Sequence, residues 1–163
     1  MDRGAIFDDS LTYRYALWRV WNETIPALNV IGLNPSTATA TEDDPTIRRC
    51  VGYAKAWGYG GLVMTNLFAY RSTDPNNIPQ NVPDGMTWGV GLDNDRHLVE
   101  QAKAAGLVVL AWGAHRAVGN RAVVVCQLLR GVPLHCLRLT KNGYPAHPLY
   151  LPKTLKPVLY RAA

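Results

Sequence analysis

The chain has 163 residues, 48% of them hydrophobic and 18% charged, with a formal net charge of +5. That length suits one domain with a substantial core, and the composition excludes a disordered, a collagenous or a coiled-coil protein. The charge is lopsided: residues 101–163 carry nine basic side chains and no acidic one, so this third of the chain attracts polyanions such as nucleic acid.

No apolar run reaches the ~18 residues of a membrane span. The opening MDRGAIFDDSLTYRY lacks the apolar stretch of a secretory signal. Cys50, Cys126 and Cys136 stand far apart with no CxxC pair, which argues against a disulfide framework, a zinc site or an iron–sulfur cluster. The expectation is a single domain over residues 1–163, cytoplasmic and nucleoid-associated, with no cofactor, no metal cluster and no membrane partner.

In chain order, residues 13–21 read as a strand or a short helix. Residues 27–33 (ALNVIGL) read as a buried strand. Residues 46–57 (TIRRCVGYAKAW) place Ile47, Cys50, Val51, Ala54 and Trp57 at helical spacing. Asp44 is the expected N-cap, Pro45 the first helical residue and Gly58 the stop. A second strand is expected over 61–68 (GLVMTNLF), then a Pro-, Asn- and Gly-rich loop over 74–91. A helix over 93–105 closed by Gly106, a strand over 107–112 (LVVLAW), a helix over 114–130 closed by Gly131 and a strand over 134–139 (LHCLRL) complete the series. This alternation predicts a three-layer α/β/α sandwich around a central, mainly parallel four-stranded sheet.

Ligands of such folds bind beyond the carboxyl ends of the strands. The loops to examine are therefore those starting at Asn34, Asn66, Gly113 and Lys141. In GLNPSTATA, the Asn34 carboxamide can orient a water, although it is no strong base; alternatively, Asn-Pro here only closes a turn. In TNLFAYRST, the Asn66 amide suits the polar edge of a nucleobase, Phe68 and Tyr70 can stack on a base, and Arg71 can meet a phosphate. The competing reading makes the aromatics core and Asn66 a turn cap. In KNGYPAHPLYLPK, His147 lies between Pro145 and Pro148 in a basic segment. His115 is a secondary candidate, while His97 and His135 have no special context. Asp43 and Asp44 either contact a water or base or favour a helix start, and Trp112 either lines the cleft or fills the core. No phosphate loop, dinucleotide fingerprint, HExxH or GxSxG occurs.

Taken together, GLNPSTA at 32–38, MTNLFAYRST at 64–73, VVLAWGAH at 108–115 and HPLYL at 147–151 resemble the motifs of the uracil-DNA glycosylase superfamily, closest to its mismatch-specific thymine/uracil branch. The whole pattern, with DDPT at 43–46, also resembles a bacterial and phage family of unknown function. The first resemblance implies a monomeric, metal-independent DNA N-glycosylase acting on uracil, a mispaired or a modified base in duplex or single-stranded DNA. It implies that Asn34 positions the attacking water and His147 stabilises the departing base. It also implies that Asn66 recognises the base or lines the cleft, that Ser36 and Thr37 lie near the phosphate or sugar, and that Leu151 wedges into the duplex; the loops themselves add Leu33 and Tyr70 as base-binding candidates and Arg71, Lys141 and Lys153 as DNA-binding ones. Two departures stand out: Asn34 occupies a position that several subfamilies fill with a carboxylate, and Leu149 and Tyr150 replace a small and a prolyl residue. The alternatives are an enzyme of the same fold acting on free or modified nucleotides, and a non-catalytic nucleic-acid-binding module.

Overall fold

The computed structural model describes residues 1–80 and 88–161, so part of the expected 74–91 loop lies outside the described residues. Seven strands form one sheet: β1 (Asp2–Phe7), β2 (Arg14–Val20), β3 (Ala27–Gly32), β4 (Gly61–Asn66), β5 (Leu107–Leu110), β6 (Leu134–Cys136) and β7 (Val158–Leu159). Their order is β1-β2-β4-β3-β5-β6-β7. Three helices are present among the described residues, α1 (Pro45–Ala56), α2 (Asn94–Ala104) and α3 (Gly119–Leu128).

The protein is thus a mixed α/β fold. The expected four-stranded sheet is corrected to seven strands. The four expected strands are its parallel centre, β4-β3-β5-β6, while β1 and β2 on one side and β7 on the other join antiparallel. Residues 13–21 resolve as a strand, β2. Its partner β1 carries Gly4, where a Cβ would sit 2.1 Å from the Trp18 ring, so only glycine lets the indole lie across the edge strand.

Alternation along the central strands builds two cores. Ile31 and Leu33, with Val108, Leu110 and Trp112, pack against Leu98 and Ala102 of α2 and Val125 of α3. Leu28 and Val30, with Val109 and Ala111, pack against Ile47, Cys50 and Ala54 of α1. Helices therefore cover both faces. No helix among the described residues is long and apolar enough to cross a membrane.

Helix α1 starts as its sequence signals demand, the Asp44 carboxylate accepting the Ile47 amide at 2.8 Å and Pro45 opening the first turn. Helix α3 starts at Gly119, five residues later than expected. The cause is local: His115 Nδ1 accepts the Ala117 amide at 3.1 Å and its carbonyl accepts the Val118 amide at 3.0 Å, a turn that competes with helix formation.

The segment between β3 and α1 is tied to β2 by two buried arginines. Arg14 Nη1 donates to the Ala38 carbonyl at 2.9 Å. Arg19 donates through Nε to Asp43 at 2.8 Å, through Nη2 to the Thr39 carbonyl at 2.8 Å and through Nη1 to the Trp18 carbonyl at 2.8 Å. Replacing Arg19 by Met leaves these acceptors unpaired in a dry site, at a cost of about 3 kcal/mol. Thermal unfolding of Arg19→Met is expected roughly 6–12 °C below wild type; an unchanged midpoint would show that the clamp contributes nothing.

Candidate functional site

The four strand-end loops meet in one cleft of about 380 Å³, lined among others by Leu33, Asn34, Ser36, Asn66, His115 and His147. Parallel pairing puts Gly32 opposite Asn66 and Ile31 opposite both Thr65 and Leu110, so β3, β4 and β5 end on one line. The first two loops are then zipped together: Leu67 donates to the Gly32 carbonyl, Phe68 to Leu33 and Ser72 to Pro35, at 2.9–3.0 Å.

That zipper fixes the polarity of Asn34. Its Nδ2 donates to the carbonyls of Ser72 at 2.9 Å and Pro35 at 3.0 Å. Only the amide nitrogen satisfies such a pair of acceptors, so Oδ1 is the end left free, and no donor reaches it among the described residues. Asn34 is half-buried and lines the cleft, and its free Oδ1 is an acceptor for a water hydrogen.

Asn66 is 3% exposed, and its Nδ2 has no partner among the described residues. A Cβ at Gly32 would stand 2.8 Å from Asn66 Oδ1, so the glycine makes room for this carboxamide. Asn94, fully buried at the start of α2, donates to the carbonyls of Asn66 and Leu67 at 3.0 and 3.1 Å, and Arg121 adds a bond to Leu67 at 2.8 Å. These groups hold the end of β4 from behind.

His147 arrives on a hairpin. Thr140 and Tyr144 exchange hydrogen bonds across a turn with Gly143 at φ 86°, and Ala146 donates to the Arg138 carbonyl at 2.8 Å. Gly113 donates to the Pro145 carbonyl at 2.8 Å and takes φ 74°, so β5 and the hairpin meet directly. The Leu149 amide donates to His147 Nδ1 at 3.2 Å. With Nδ1 accepting, the proton sits on Nε2. The ring stands at the solvent-open mouth of the cleft, yet burial by the surrounding protein lowers its pKa from the ordinary 6.5, with Asp44 acting in the opposite direction. At neutral pH His147 is a neutral Nε2–H donor. His115 has the same tautomer for the same reason, its Nε2 meeting Asn76 Oδ1 at 3.0 Å.

The other expected site residues divide between the cleft and the rest of the surface. Ser36 lines the cleft, while Thr37 beside it is exposed. The Tyr70 ring meets Tyr13 edge-on at 6.0 Å, away from the cleft. Arg71 also turns away, donating to the Leu11 carbonyl at 3.0 Å and lying 4.8 Å over the Phe7 ring. Lys141 is exposed at the hairpin turn. Leu151 packs against the α1-side core, leaving Tyr150, 95% exposed at φ 67°, as the projecting side chain. Lys153 joins Arg48 and Arg49 along a second hollow of about 450 Å³ that shares Leu149 with the cleft.

Three cleft residues were not assigned there from sequence alone, or only as one of two options. Asp44 caps α1, as the helix-start reading expects, and also lines the cleft. Trp112 is 2% exposed and core, but lines the cleft with its Nε1 unpartnered. Arg14 was missed altogether; its one signal is a cation within the aromatic and apolar run TYRYALW. A larger hollow of about 590 Å³ around Phe7, Tyr13, Tyr15 and Trp88 contains none of the groups from the four strand-end loops. No group of three or more His, Cys, Asp or Glu side chains that could hold a metal occurs among the described residues.

Comparison with known sequences finds one family, described as "Protein of unknown function (DUF1643)", whose model matches residues 14–149. No curated protein and no solved structure matched the chain.

Two outcomes follow from the cleft. Asn34→Asp sets a carboxylate against the Pro35 and Ser72 carbonyls, so it is expected to lose about 2 kcal/mol of stability, read by chemical denaturation; equal stability would contradict the assigned amide polarity. The His147 ring is expected to titrate below 6.5 by NMR, and lower still in Asp44→Asn, which keeps the helix cap but removes the charge that favours protonation. A rise in Asp44→Asn would contradict it.

Proposed function

The chain belongs to the family described as protein of unknown function DUF1643, so its activity has to be read from the cleft, and we propose that it hydrolyses the N-glycosidic bond of a uracil-like, mispaired or modified base in DNA. The observation that carries this reading is the pairing, in one cleft, of a neutral His147 Nε2–H donor with an Asn34 Oδ1 acceptor whose orientation the protein fixes. The sequence motifs 32–38 and 147–151 resemble those of the uracil-DNA glycosylases at the same two loops.

Breaking this bond leaves positive charge on the sugar and negative charge on the base. A donor fixed where the negative charge develops is worth about 3 kcal/mol. His147 supplies that donor to a base oxygen. Because its ring is neutral, it stabilises the anion by a hydrogen bond and keeps its proton. Asn34 Oδ1 orients a water toward the sugar carbon; a carboxamide directs the water without removing its proton, which predicts a slow enzyme. Asn66 Nδ2, buried and unpartnered, is a donor for a second base acceptor.

The hollow shared through Leu149 suits phosphates, since Arg48, Arg49 and Lys153 line it with no acidic residue. Extruding a base from a duplex costs a few kcal/mol, least for a mispaired or damaged one. Tyr150, exposed two residues after Pro148, would stack into the gap; Leu151, partly buried against the α1-side core, would not.

The test is alkali-induced scission of labelled duplex and single-stranded oligonucleotides carrying uracil, G·U, G·T, hypoxanthine or 5-hydroxymethyluracil. Scission is expected with at least one of them and is expected to fall by about 10²–10³-fold in His147→Ala. Activity is expected to decline as the pH drops through the His147 pKa, below 6.5, because the protonated ring can no longer accept the Leu149 amide. Scission of none of these substrates, or equal scission by His147→Ala, would overturn the proposal.

A further inference from the structure

The cleft holds more donors than the protein satisfies. Arg14, the first residue of β2, is 2% exposed and lines the cleft. Its Nη1 is bound to the Ala38 carbonyl at 2.9 Å, but its Nε has no partner. No carboxylate lies within 4.0 Å of it among the described residues. Asp44 is the one acid felt across the cleft, and its side chain already accepts the Ile47 amide. Burial pulls the Arg14 pKa down to about 10, so the guanidinium is still charged at neutral pH.

Arg19, on the same strand and equally buried, shows what a purely structural arginine looks like here. It is paired with Asp43 and with backbone carbonyls through all three nitrogens. Among the described residues Arg14 makes no bond through Nε, which is closed to solvent in this structure, or through Nη2; that edge is the two-pronged fork that fits an oxyanion once a ligand opens it. A buried cation without a counter-charge is costly, as is a buried donor without an acceptor. Asn66 and Trp112, which also line the cleft, carry two more such donors, Nδ2 and Nε1, each closed to solvent and without a partner among the described residues.

We propose that Arg14 is an oxyanion subsite of this cleft, so that the ligand carries a carboxylate or phosphoryl group that pairs with the free guanidinium edge, while Asn66 and Trp112 donate to its uncharged acceptors. This rests on the reading of the cleft as a nucleobase site and narrows it: the substrate is a base bearing an acidic substituent, or a nucleotide whose own phosphate reaches Arg14.

Calorimetric titration at low salt decides the matter with two matched pairs, uracil against 5-carboxyuracil and deoxyuridine against its 5′-monophosphate, together with inorganic phosphate. At least one anionic member is expected to bind tenfold or more tightly than its neutral partner. The pair that shows the preference distinguishes a carboxylate on the base from a phosphate. The preference is expected to vanish in Arg14→Gln and to survive in part in Arg14→Lys, with circular dichroism confirming that each variant folds. If Arg14→Gln does not fold, Arg14→Lys carries the test: a reduced preference upholds the subsite, and a preference as large as wild type's overturns it and assigns the anion to Arg48, Arg49 and Lys153. Equal affinity within both pairs overturns the subsite and leaves the base reading intact. A preference that persists in folded Arg14→Gln also overturns it. Arg14-dependent binding of inorganic phosphate with no binding of any uracil compound upholds the subsite and overturns the base reading. Binding of none of the five overturns the subsite.

Discussion

The parallel register of β3 between β4 and β5 is the constraint on which the site depends. With Gly32 opposite Asn66 and Ile31 opposite Leu110, the three strands stop together, and the residues that follow them become neighbours. Slipping β3 by one residue would send Leu28 and Val30 to the other face and separate Asn34 from the Ser72 carbonyl that orients it. The antiparallel neighbour adds what a parallel strand cannot. Because β2 runs against β4, its first residue, not its last, lies at the carboxyl edge of the parallel strands, and that residue is Arg14.

Polarity within the cleft is set by the backbone. Ser72 and Pro35 present carbonyls that turn the Asn34 amide nitrogen inward, and the Leu149 amide turns the His147 proton onto Nε2. One wall therefore offers an acceptor oriented for water and the mouth offers a neutral donor. Arg14, Asn66 and Trp112 contribute donors that find no acceptor among the described residues. A cleft whose lining residues carry unmet donors matches a ligand rich in carbonyl or anionic oxygens better than one rich in donors. The carboxamide at position 34 belongs to this design: a carboxylate there would meet two carbonyl oxygens.

The central strands were legible because each is an apolar run bounded by turn residues, and α1 because Asp44 and Pro45 announce it. Convergence of the loops at 34, 66, 113 and 147 followed from the parallel order alone. The rest depended on pairings that a sequence does not display. β1 is a short edge strand with a polar start, and β7 is two residues held by β6, so neither has a period to read. Arg14 gains its meaning only from the antiparallel pairing of β2. Arg71 is drawn off by Phe7, far away in sequence, and the start of α3 is displaced by a side-chain bond of His115. At 147–151 the motif shows which residues are present but not which one turns outward; the positive φ of Tyr150 decides that, tucking Leu151 under α1.

The most direct test of the account is an NMR titration of the side-chain amide and indole protons with uracil and 5-carboxyuracil. The account predicts that the Asn66 Nδ2 and Trp112 Nε1 protons move together and saturably, because both lose their unpartnered state when a ligand fills the cleft. Saturable shifts confined to the Trp18, Trp21, Trp57 or Trp88 indoles, with Asn66 and Trp112 unmoved, would place the ligand elsewhere and contradict it.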